Sequence, residues 1–480
     1  MSVVFGEIIA EAAVRFGDRE ALIEDTGRTL TYAQLHHRSD AIAHSLRRAG
    51  VGEGSVVAIT HGSGIDYLLA FAAAAKLGAT TAGINPSLAE PERERLLRQL
   101  QPDLVVAAPI DLDGSVTPRL EPVDDDPERV VAIVFTSGTT GLPKGAVFRN
   151  RQLESIMACD LGNDWRERWD GGGHMLVSTQ MAHVGFMTKI PWYLRTGATM
   201  HVLAKWRPEP VLRLIDKYRI RSLGVVAPQL ALLLRHPALA DIDVSCVDTI
   251  IAGGAASPSA LVREATERFG AKYSIRYSST ESGGIGLATA FDASAEEMFG
   301  TVGRARPGVQ VRVIGDDHLP VPTGTVGQLC IKTPTGFDRY WRNPEATAST
   351  LIDGWIHTGD LASVDDSGLV RLSGRLKEMY IRGGYNVAPA EVEAVLCDHP
   401  LVAEIAIAPR TDPVMGEIGV AIVRPSDPAH PPTLETLREF GASELAAWKL
   451  PEALVITDSL PLTAMQKLDR TELARLAATR

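Results

Sequence analysis

Two hydrophobic periodicities alternate along the chain from residue 7 to about residue 275. Short apolar runs predict buried strands, and apolar residues spaced three or four positions apart predict helices. Their alternation is typical of largely parallel sheets covered by helices, as in α/β proteins. The predicted strands are Ser55–Thr60, Asp103–Ala107, Met175–Ser178, Thr199–Leu203, Ser222–Val226 and Val247–Ala252. The predicted helices are Ala33–Ala49, Gly64–Leu77, Pro208–Tyr218 and Pro258–Phe269.

The pattern changes twice in the remaining sequence. Between Val309 and Ser373, short strands and turns predict a β-rich subdomain. After Gly374, helices and strands begin again, which predicts a separate small α+β domain. Its predicted elements are helix Ala390–Leu396, strands Val402–Ala408 and Ile418–Val423, helix Leu434–Phe440 and strand Leu454–Thr457.

Length and charge support more than one domain and exclude several kinds of partner. A chain of 480 residues is too long for a single core. The 48 Lys and Arg residues against 59 Asp and Glu residues give a net charge of −11, which argues against nucleic acid as a main partner. The longest apolar stretch, Tyr67–Ala75, is too short to span a membrane.

The compartment is predicted from the amino terminus and the cysteines. Glu7 and Glu11 interrupt the apolar core that a secretion signal requires. The cysteines lie far apart without metal-binding spacing, so we expect reduced thiols in a cytoplasmic protein. They are Cys159, Cys246, Cys330 and Cys397.

A segment rich in glycine and hydroxyl side chains directly follows the apolar run Val130–Phe135. Its glycines allow close approach of backbone N–H groups to an anion, its hydroxyls donate hydrogen bonds, and its lysine adds a positive charge. The common phosphate loop G-x-x-x-x-G-K-[ST] does not fit. A plain solvated loop is the alternative, but ten such residues after a buried strand favour phosphate binding. The segment is Thr136-Ser137-Gly138-Thr139-Thr140-Gly141-Leu142-Pro143-Lys144-Gly145.

This segment resembles the phosphate loop of the adenylate-forming enzymes, which include acyl-CoA synthetases, peptide-synthetase adenylation domains and firefly luciferase. At least six motifs of that family occur in order between Tyr32 and Lys467. The resemblance implies an α/β large domain, a small mobile domain, and ATP, Mg²⁺ and CoA as ligands. It assigns ATP binding in the loop to Thr136, Ser137, Gly138, Thr139, Thr140, Gly141 and Lys144.

A second motif, Tyr277-Ser278-Ser279-Thr280-Glu281, follows a predicted helix–strand unit. It is therefore expected at the carboxyl end of a strand, where ligands bind in α/β sheets. By resemblance, Tyr277 stacks on adenine, Thr280 belongs to the catalytic residues, and Glu281 is the Mg²⁺ ligand, a role suited to a hard oxygen. Upstream, Gly253 and Ala255 resemble the family's strand end with little side-chain bulk beside adenine and the acyl group.

Two further motifs resemble the ribose site and the junction between the domains. Asp360, which ends Gly354–Asp360, is expected to accept hydrogen bonds from the ribose hydroxyls. Within Ser373–Glu378, Arg375 is expected to contact the ribose and Lys377 to be the hinge. The resemblance thus implies a large domain over 1–374, a hinge near 375–377, and a small domain over 378–480. Gly383 and Gly384 then resemble the loop that enters the site for thioester formation.

The last motif, Pro461–Lys467, resembles the segment whose lysine bridges the carboxylate and the α-phosphate during adenylation. The family usually has glycine before this lysine, whereas this chain has Gln466. Earlier in the chain, His183-Val184-Gly185-Phe186 resembles the histidine segment near the acyl carboxylate in acyl-CoA synthetases, which makes His183 a candidate catalytic residue. Amino-acid-activating domains have a Phe-Asp pair there, so amino-acid substrates are not expected.

The resemblance implies an AMP-forming acyl-CoA ligase acting on a carboxylic acid. Few side chains flank the acyl position around Gly283–Gly286, which favours a bulky or long hydrophobic acid. The alternative is that these glycines serve the backbone conformation alone. The acceptor is either CoA or the phosphopantetheine of a carrier protein. Because of Gln466, an enzyme competent mainly in thioester formation is a further alternative. A non-catalytic nucleotide-binding module is the alternative from another class, and the oligomeric state stays open.

Overall fold

The computed structural model describes residues 5–110, 120, 121, 123, 124, 126–136, 143–254, 257–382, 385–463 and 467–479. The fold is α/β, with a large amino-terminal part of mixed, helix-covered sheets and a carboxyl-terminal α+β part. In these parts of the chain no helix has the length and apolar character needed to cross a bilayer.

Two sheets form within the first part of the chain. One has the strand order β2-β1-β9-β8 and the other β5-β3-β4-β6-β7. Strands β3, β4, β5 and β6 run parallel, whereas β7 turns back antiparallel to β6. In chain order the elements are α1 (Phe5–Phe16), β1 (Glu20–Glu24), β2 (Thr29–Thr31), α2 (Tyr32–Arg48), β3 (Val56–Ile59), α3 (Ile65–Lys76), β4 (Thr80–Gly83), α4 (Glu90–Leu100), β5 (Leu104–Val106), β6 (Val130–Phe135), β7 (Gly145–Arg149), α5 (Asn150–Leu161), β8 (His174–Leu176), α6 (Val184–Met187), α7 (Ile190–Thr196) and β9 (Thr199–Val202).

A third sheet follows, with the order β10-β11-β12-β13-β14. Its first three strands are parallel and its last two are antiparallel additions. Helix α8 begins at a proline, whose fixed φ suits the first turn of a helix. The elements are α8 (Pro208–Tyr218), β10 (Ser222–Val225), α9 (Ala227–Arg235), a 3₁₀ helix (Pro237–Ala240), β11 (Thr249–Gly253), α10 (Ser259–Phe269), β12 (Lys272–Tyr277), β13 (Leu287–Ala288), α11 (Ala295–Gly300) and β14 (Arg304–Ala305).

The β-rich region is an antiparallel sheet of order β15-β16-β18-β17, with β19 paired to β18. This matches the strand-and-turn pattern predicted between Val309 and Ser373. Its elements are β15 (Gln310–Ile314), β16 (Gly327–Lys332), α12 (Pro344–Thr350), β17 (Leu351–Ile352), β18 (Trp355–Val364) and β19 (Val370–Arg375).

The carboxyl-terminal part has its own sheet of order β21-β20-β23-β22, with β24 parallel to β23. The long hairpin β22–β23 alternates its side chains between two buried clusters, one under α13 and α14 and the other under α15. Its elements are β20 (Tyr380–Arg382), β21 (Tyr385–Val387), α13 (Pro389–Leu396), β22 (Val402–Asp412), β23 (Gly416–Pro425), α14 (Leu434–Gly441), β24 (Ala453–Ile456) and α15 (Arg470–Ala478).

Separate hydrophobic cores explain why the chain divides into a large and a small part. The largest buried cluster joins α1, α2 and α3 to the first two sheets and to the β-rich sheet. A second cluster lies within the β10–β14 sheet and its helices. The cysteines are free thiols; Cys330 is buried and the other three are partly buried. The chain passes from the β-rich sheet into the small sheet between Arg375 and Tyr380.

Gly83, the last residue of β4, lies in close contact with Ala182, which precedes His183. A Cβ atom at Gly83 would lie 2.3 Å from Tyr67 Oη and 2.7 Å from Ala182 Cα. The backbone at Ala182 cannot move away easily to relieve this clash. We therefore expect Gly83→Ala to lower the free energy of unfolding by ~1–3 kcal/mol. Urea denaturation measures this loss. Gly224→Ala is the matched control, because a Cβ there meets no atom within 4 Å; equal losses in both variants would contradict the packing argument.

Candidate active site

The first cluster of predicted site residues, called here the aspartate cluster, consists of Tyr277, Asp360 and Arg375. Tyr277 Oη donates to Asp360 Oδ2 at 2.5 Å, and Arg375 Nε lies 2.9 Å from Asp360 Oδ1. Burial, followed by the nearby Asp360 charge, raises the pKa of Tyr277 well above its usual value. The phenol therefore stays protonated and donates to the carboxylate.

Local geometry fixes the aspartate within β18. Gly359 has φ of 74° and its carbonyl accepts from Leu376 N at 2.8 Å, which ties the strand to the start of the hinge segment. Thr358 Oγ1 donates to Leu329 O at 2.7 Å and accepts from Asp360 N at 3.1 Å. The carboxylate, which is mostly buried, is held between a phenol and a guanidinium.

The second cluster, called here the tyrosine bridge, consists of Lys144, Tyr340 and Glu281. Tyr340 Oη donates to Glu281 Oε1 at 2.5 Å, and Lys144 Nζ lies 4.9 Å from the centre of the Tyr340 ring. One aromatic side chain therefore contacts both the lysine of the predicted phosphate loop and the predicted metal ligand.

The ends of the predicted phosphate loop are held by β6 and β7. Thr136 N donates to Lys144 O at 2.9 Å, and Lys144 N donates to Thr136 Oγ1 at 3.1 Å. Thr136 and Lys144 therefore close a hairpin at the carboxyl end of β6. This places the loop at the end of a strand, as the sequence pattern predicts.

Lys467 extends from the small α+β part towards both clusters. Its Cε atom lies 4.0 Å from the position that a Cβ atom of Gly254 would occupy. Burial lowers the pKa of Lys467, as does the positive charge of Arg375, while Asp360 and Glu281 act in the opposite direction. The ammonium group therefore lies within electrostatic range of both clusters.

The loop that carries Lys467 is closed by backbone contacts. Thr463 N donates to Lys467 O at 2.7 Å, and Lys467 N donates to Thr463 Oγ1 at 3.3 Å. Asp469 then caps α15 by accepting from Thr471 N and Glu472 N, both at 3.1 Å. The cap fixes where α15 begins, three residues after Lys467.

His183 lies at the start of α6, where its Nδ1 accepts from Gly185 N at 3.4 Å. Burial lowers the pKa of His183 to about 4, with a further contribution from the charge of Lys467. The imidazole is thus uncharged at neutral pH, and Lys467 lies close enough for its positive charge to disfavour protonation of the ring. Thr280 is buried in the turn that follows β12.

The proximity of Lys467 and His183 predicts a selective change in titration. Lys467→Met removes the charge and keeps an apolar stem, so we expect the pKa of His183 to rise from about 4. NMR titration of labelled histidine side chains measures this. His201, whose pKa of about 4 is lowered by burial, His174 and Lys217, provides the control. Lys217→Met should raise the pKa of His201 only; a His183 midpoint unmoved by Lys467→Met would place the lysine elsewhere in solution.

Two further predicted site residues are described by the structure. Gly253 ends β11 beside this site, and Lys377 is exposed in the turn between β19 and β20.

Other predicted site residues lie outside the described residues, so their roles stay predictions. The residues outside the described parts are Ser137, Gly138, Thr139, Thr140, Gly141, Ala255, Gly383, Gly384 and Gln466.

Tyr340 is not among the site residues predicted from the sequence. The tyrosine lies 59 positions from Glu281, and the two charged residues directly before it, Asp338 and Arg339, do not by themselves indicate a site. The nearby aromatic pair Phe337 and Tyr340 is the one signal in the sequence, and such a pair more often indicates a core.

Glu281 fits the magnesium ion that the resemblance implies. Its carboxylate supplies the hard oxygen that Mg²⁺ prefers, and Mg²⁺ bound to phosphates commonly takes only one or two protein carboxylates. Tyr340 Oη orients this carboxylate from one side. The donor chemistry is therefore compatible with a metal held between Glu281 and phosphate oxygens.

Comparison with known proteins agrees with this arrangement. The family model described as AMP-binding enzyme matches residues 9–341, and the AMP-binding enzyme C-terminal domain matches residues 391–467. The chain is 31% identical to the fatty acid–[acyl-carrier-protein] ligase ScoC of Streptomyces coeruleorubidus, covering 93% of this chain and 91% of that protein. It is 30% identical to an indoleacetate–CoA ligase of Aromatoleum aromaticum, covering 98% and 95%.

Among solved structures, ATP-bound MatB from Rhodopseudomonas palustris superposes with a TM-score of 0.88 at 25% identity. The match covers 100% of this chain and 99% of that chain. The two family models together account for both the large and the small part of the fold. The chain therefore belongs to the AMP-binding enzyme family and is an ATP-dependent, AMP-forming ligase of the adenylate-forming superfamily.

Proposed function

We propose that this protein is an acyl-CoA ligase that activates a carboxylic acid as acyl-AMP and transfers the acyl group to the thiol of CoA. The observation that carries the proposal is the position of Lys467. This lysine interacts electrostatically with Arg375, Asp360 and Glu281. Such an arrangement fits the first half-reaction, in which negative charge builds on the α-phosphate.

In the first half-reaction, a carboxylate oxygen attacks the α-phosphate and pyrophosphate leaves. The Lys467 ammonium neutralises charge on the carboxylate and the phosphate as they approach. Lys144 and the hydroxyls of the phosphate loop hold the leaving pyrophosphate. Asp360 accepts hydrogen bonds from the ribose hydroxyls. Mg²⁺, when bound at Glu281, supplies charge neutralisation to the phosphate oxygens.

In the second half-reaction, the CoA thiol attacks the acyl carbonyl of acyl-AMP and AMP leaves. The small domain rotates about Lys377, which removes Lys467 from the site and brings Gly383 and Gly384 in. An exposed pivot between two sheets is suited to such a dihedral change. One site thereby performs two reactions in succession.

The acid is best described as bulky or long and hydrophobic. An apolar side chain borders Gly284 directly after His183: a Cβ at Gly284 would lie 3.8 Å from Val184 Cγ2. Gly283 and Gly286 instead lie against backbone, since a Cβ at either would come within 2.4 Å of a carbonyl oxygen. The names of the fatty acid and indoleacetate ligases agree with this class of substrate.

Two alternatives have specific support. The carrier-protein ligase ScoC favours phosphopantetheine on a protein as an acceptor, since that arm ends in the same thiol as CoA. Gln466 favours an enzyme with slow adenylation, because glutamine takes positive φ angles less readily than glycine. The non-catalytic module is contradicted by membership of a family of enzymes.

The test is a panel of hydrophobic and aromatic acids incubated with Mg·ATP and either CoA or a phosphopantetheinylated carrier protein. Pyrophosphate, AMP and thioester are measured separately. Acid-dependent pyrophosphate release followed by acyl-CoA formation supports the proposal. Thioester on the carrier alone supports the first alternative, and acyl-CoA formed only from supplied acyl-AMP supports the second. An absence of all three products would refute a ligase of hydrophobic acids.

A further inference from the structure

The segment between Thr335 and Trp341 joins two parts of the site that are distant in sequence. Phe337 N donates to Glu281 O at 2.7 Å, and Thr335 Oγ1 donates to Ser282 O at 2.8 Å. These contacts attach the segment to the turn that carries the predicted metal ligand.

The same segment also pairs with β7, the strand that leaves the predicted phosphate loop. Asp338 N donates to Val147 O at 2.8 Å, and Val147 N donates to Arg339 O at 2.9 Å. Trp341 N donates to Gly145 O at 2.7 Å, directly after Lys144. The backbone of this segment therefore fixes how far the lysine end of the phosphate loop lies from Glu281.

Tyr340 repeats this connection with its side chain. The residue is 3% exposed, its ring lies under the Lys144 ammonium, and its hydroxyl donates to Glu281. The hydroxyl is the donor in this bond, because a carboxylate oxygen only accepts. A hydrogen bond to a carboxylate is stronger than one between neutral groups, and a cation over an aromatic ring adds to it.

We propose that Tyr340 is a positioning residue that orients the Glu281 carboxylate for magnesium and sets its distance from Lys144. This inference rests on the proposed function for the role of Glu281. The tyrosine touches neither substrate nor metal in the proposal; it acts through the two charged groups that do.

The test measures metal affinity directly, with Mn²⁺ as the probe. Electron paramagnetic resonance gives Mn²⁺ affinity in the presence of a non-hydrolysable ATP analogue. Tyr340→Phe keeps the ring over Lys144 and removes the donor, so we expect about tenfold weaker Mn²⁺ binding. Glu281→Gln should weaken binding at least as much, and the double variant no further, because both changes remove the same oriented carboxylate.

A second readout separates positioning from a loss of folding. Tyr340→Phe should raise the Mg²⁺ concentration for half-maximal pyrophosphate release and leave thioester formation from supplied acyl-AMP unchanged. Tyr32→Phe is the matched control: Tyr32 is fully buried and its hydroxyl donates to Ala198 O at 2.7 Å. This variant should lose stability while Mn²⁺ affinity stays at the wild-type value.

The outcomes distinguish the inference from the proposed function. Wild-type Mn²⁺ affinity in Tyr340→Phe, with weak binding in Glu281→Gln, overturns the role of Tyr340 alone. Wild-type affinity in Glu281→Gln overturns the metal role of Glu281 and the inference with it. The proposed function is judged separately, by acyl-CoA formation in the unaltered protein, and its failure leaves the metal-binding result interpretable.

Discussion

Replacement of Lys467 by alanine is expected to slow acid-dependent pyrophosphate release by about 10²–10³-fold. The side chain reaches from the small part of the fold to within 4.0 Å of the Cβ position of Gly254. There its ammonium lies within electrostatic range of Arg375, Asp360 and Glu281. Alanine removes a positive charge from this point of the site, and Arg375, a second cation in electrostatic range of Lys467, is already paired with Asp360 at 2.9 Å. Pyrophosphate release, measured with a saturating acid and Mg·ATP, reports the effect.

The second half-reaction provides the internal control for Lys467→Ala. If the small domain rotates before the thiol attacks, Lys467 leaves the site, and acyl-CoA formation from supplied acyl-AMP stays near the wild-type rate. Lys217→Ala, a change of an exposed lysine on α8, should leave both half-reactions unchanged. Equal loss of both half-reactions in a folded Lys467→Ala protein would contradict the two-state role of this lysine.

The sequence predicts strand positions well where apolar runs are short and isolated. The predicted strand Ser222–Val226 is observed as Ser222–Val225, and helix Pro208–Tyr218 has the predicted bounds. Strand direction is harder to predict, since β7 has the same apolar character as the parallel strands of its sheet but runs antiparallel to β6. Its direction follows from the hairpin that closes between Thr136 and Lys144.

A site residue can be predicted from the sequence when it lies in a short motif of neighbouring residues. Asp360 and Lys467 lie in compact motifs, so the sequence alone selects them. Tyr340 acts through a carboxylate that only the folded sheets bring near, and an isolated tyrosine carries no local signal of this. Gly83 is similar, because the residue that leaves no space for a side chain at this position is Ala182, which is distant in the sequence.

Asp360→Ala is expected to impair both half-reactions, each by at least about 100-fold, because acyl-AMP and ATP share the ribose. Two charge-assisted hydrogen bonds from the ribose hydroxyls would be lost, each contributing roughly 1.5–3 kcal/mol. The change also leaves Tyr277 Oη and Arg375 without the carboxylate that they share. The effect should fall mainly on the KM for ATP and on the affinity for acyl-AMP, measured by steady-state kinetics and by calorimetry.

Two further variants separate ribose binding from a general loss of an ion pair. Asp360→Asn keeps an acceptor for Tyr277 but loses the charge that pairs with Arg375, so its loss should be smaller than that of alanine. Asp66→Asn removes a comparable ion pair with Arg28, whose Nη1 lies 2.8 Å away, and should leave the affinity for acyl-AMP unchanged.

We therefore expect Lys467→Ala and Asp360→Ala to differ in the thioester step: the lysine change leaves its rate unchanged, and the aspartate change lowers it. If Asp360→Ala spares that step as well, the carboxylate does not hold the ribose of the adenylate, and its contacts with Tyr277 and Arg375 serve only to stabilise the fold.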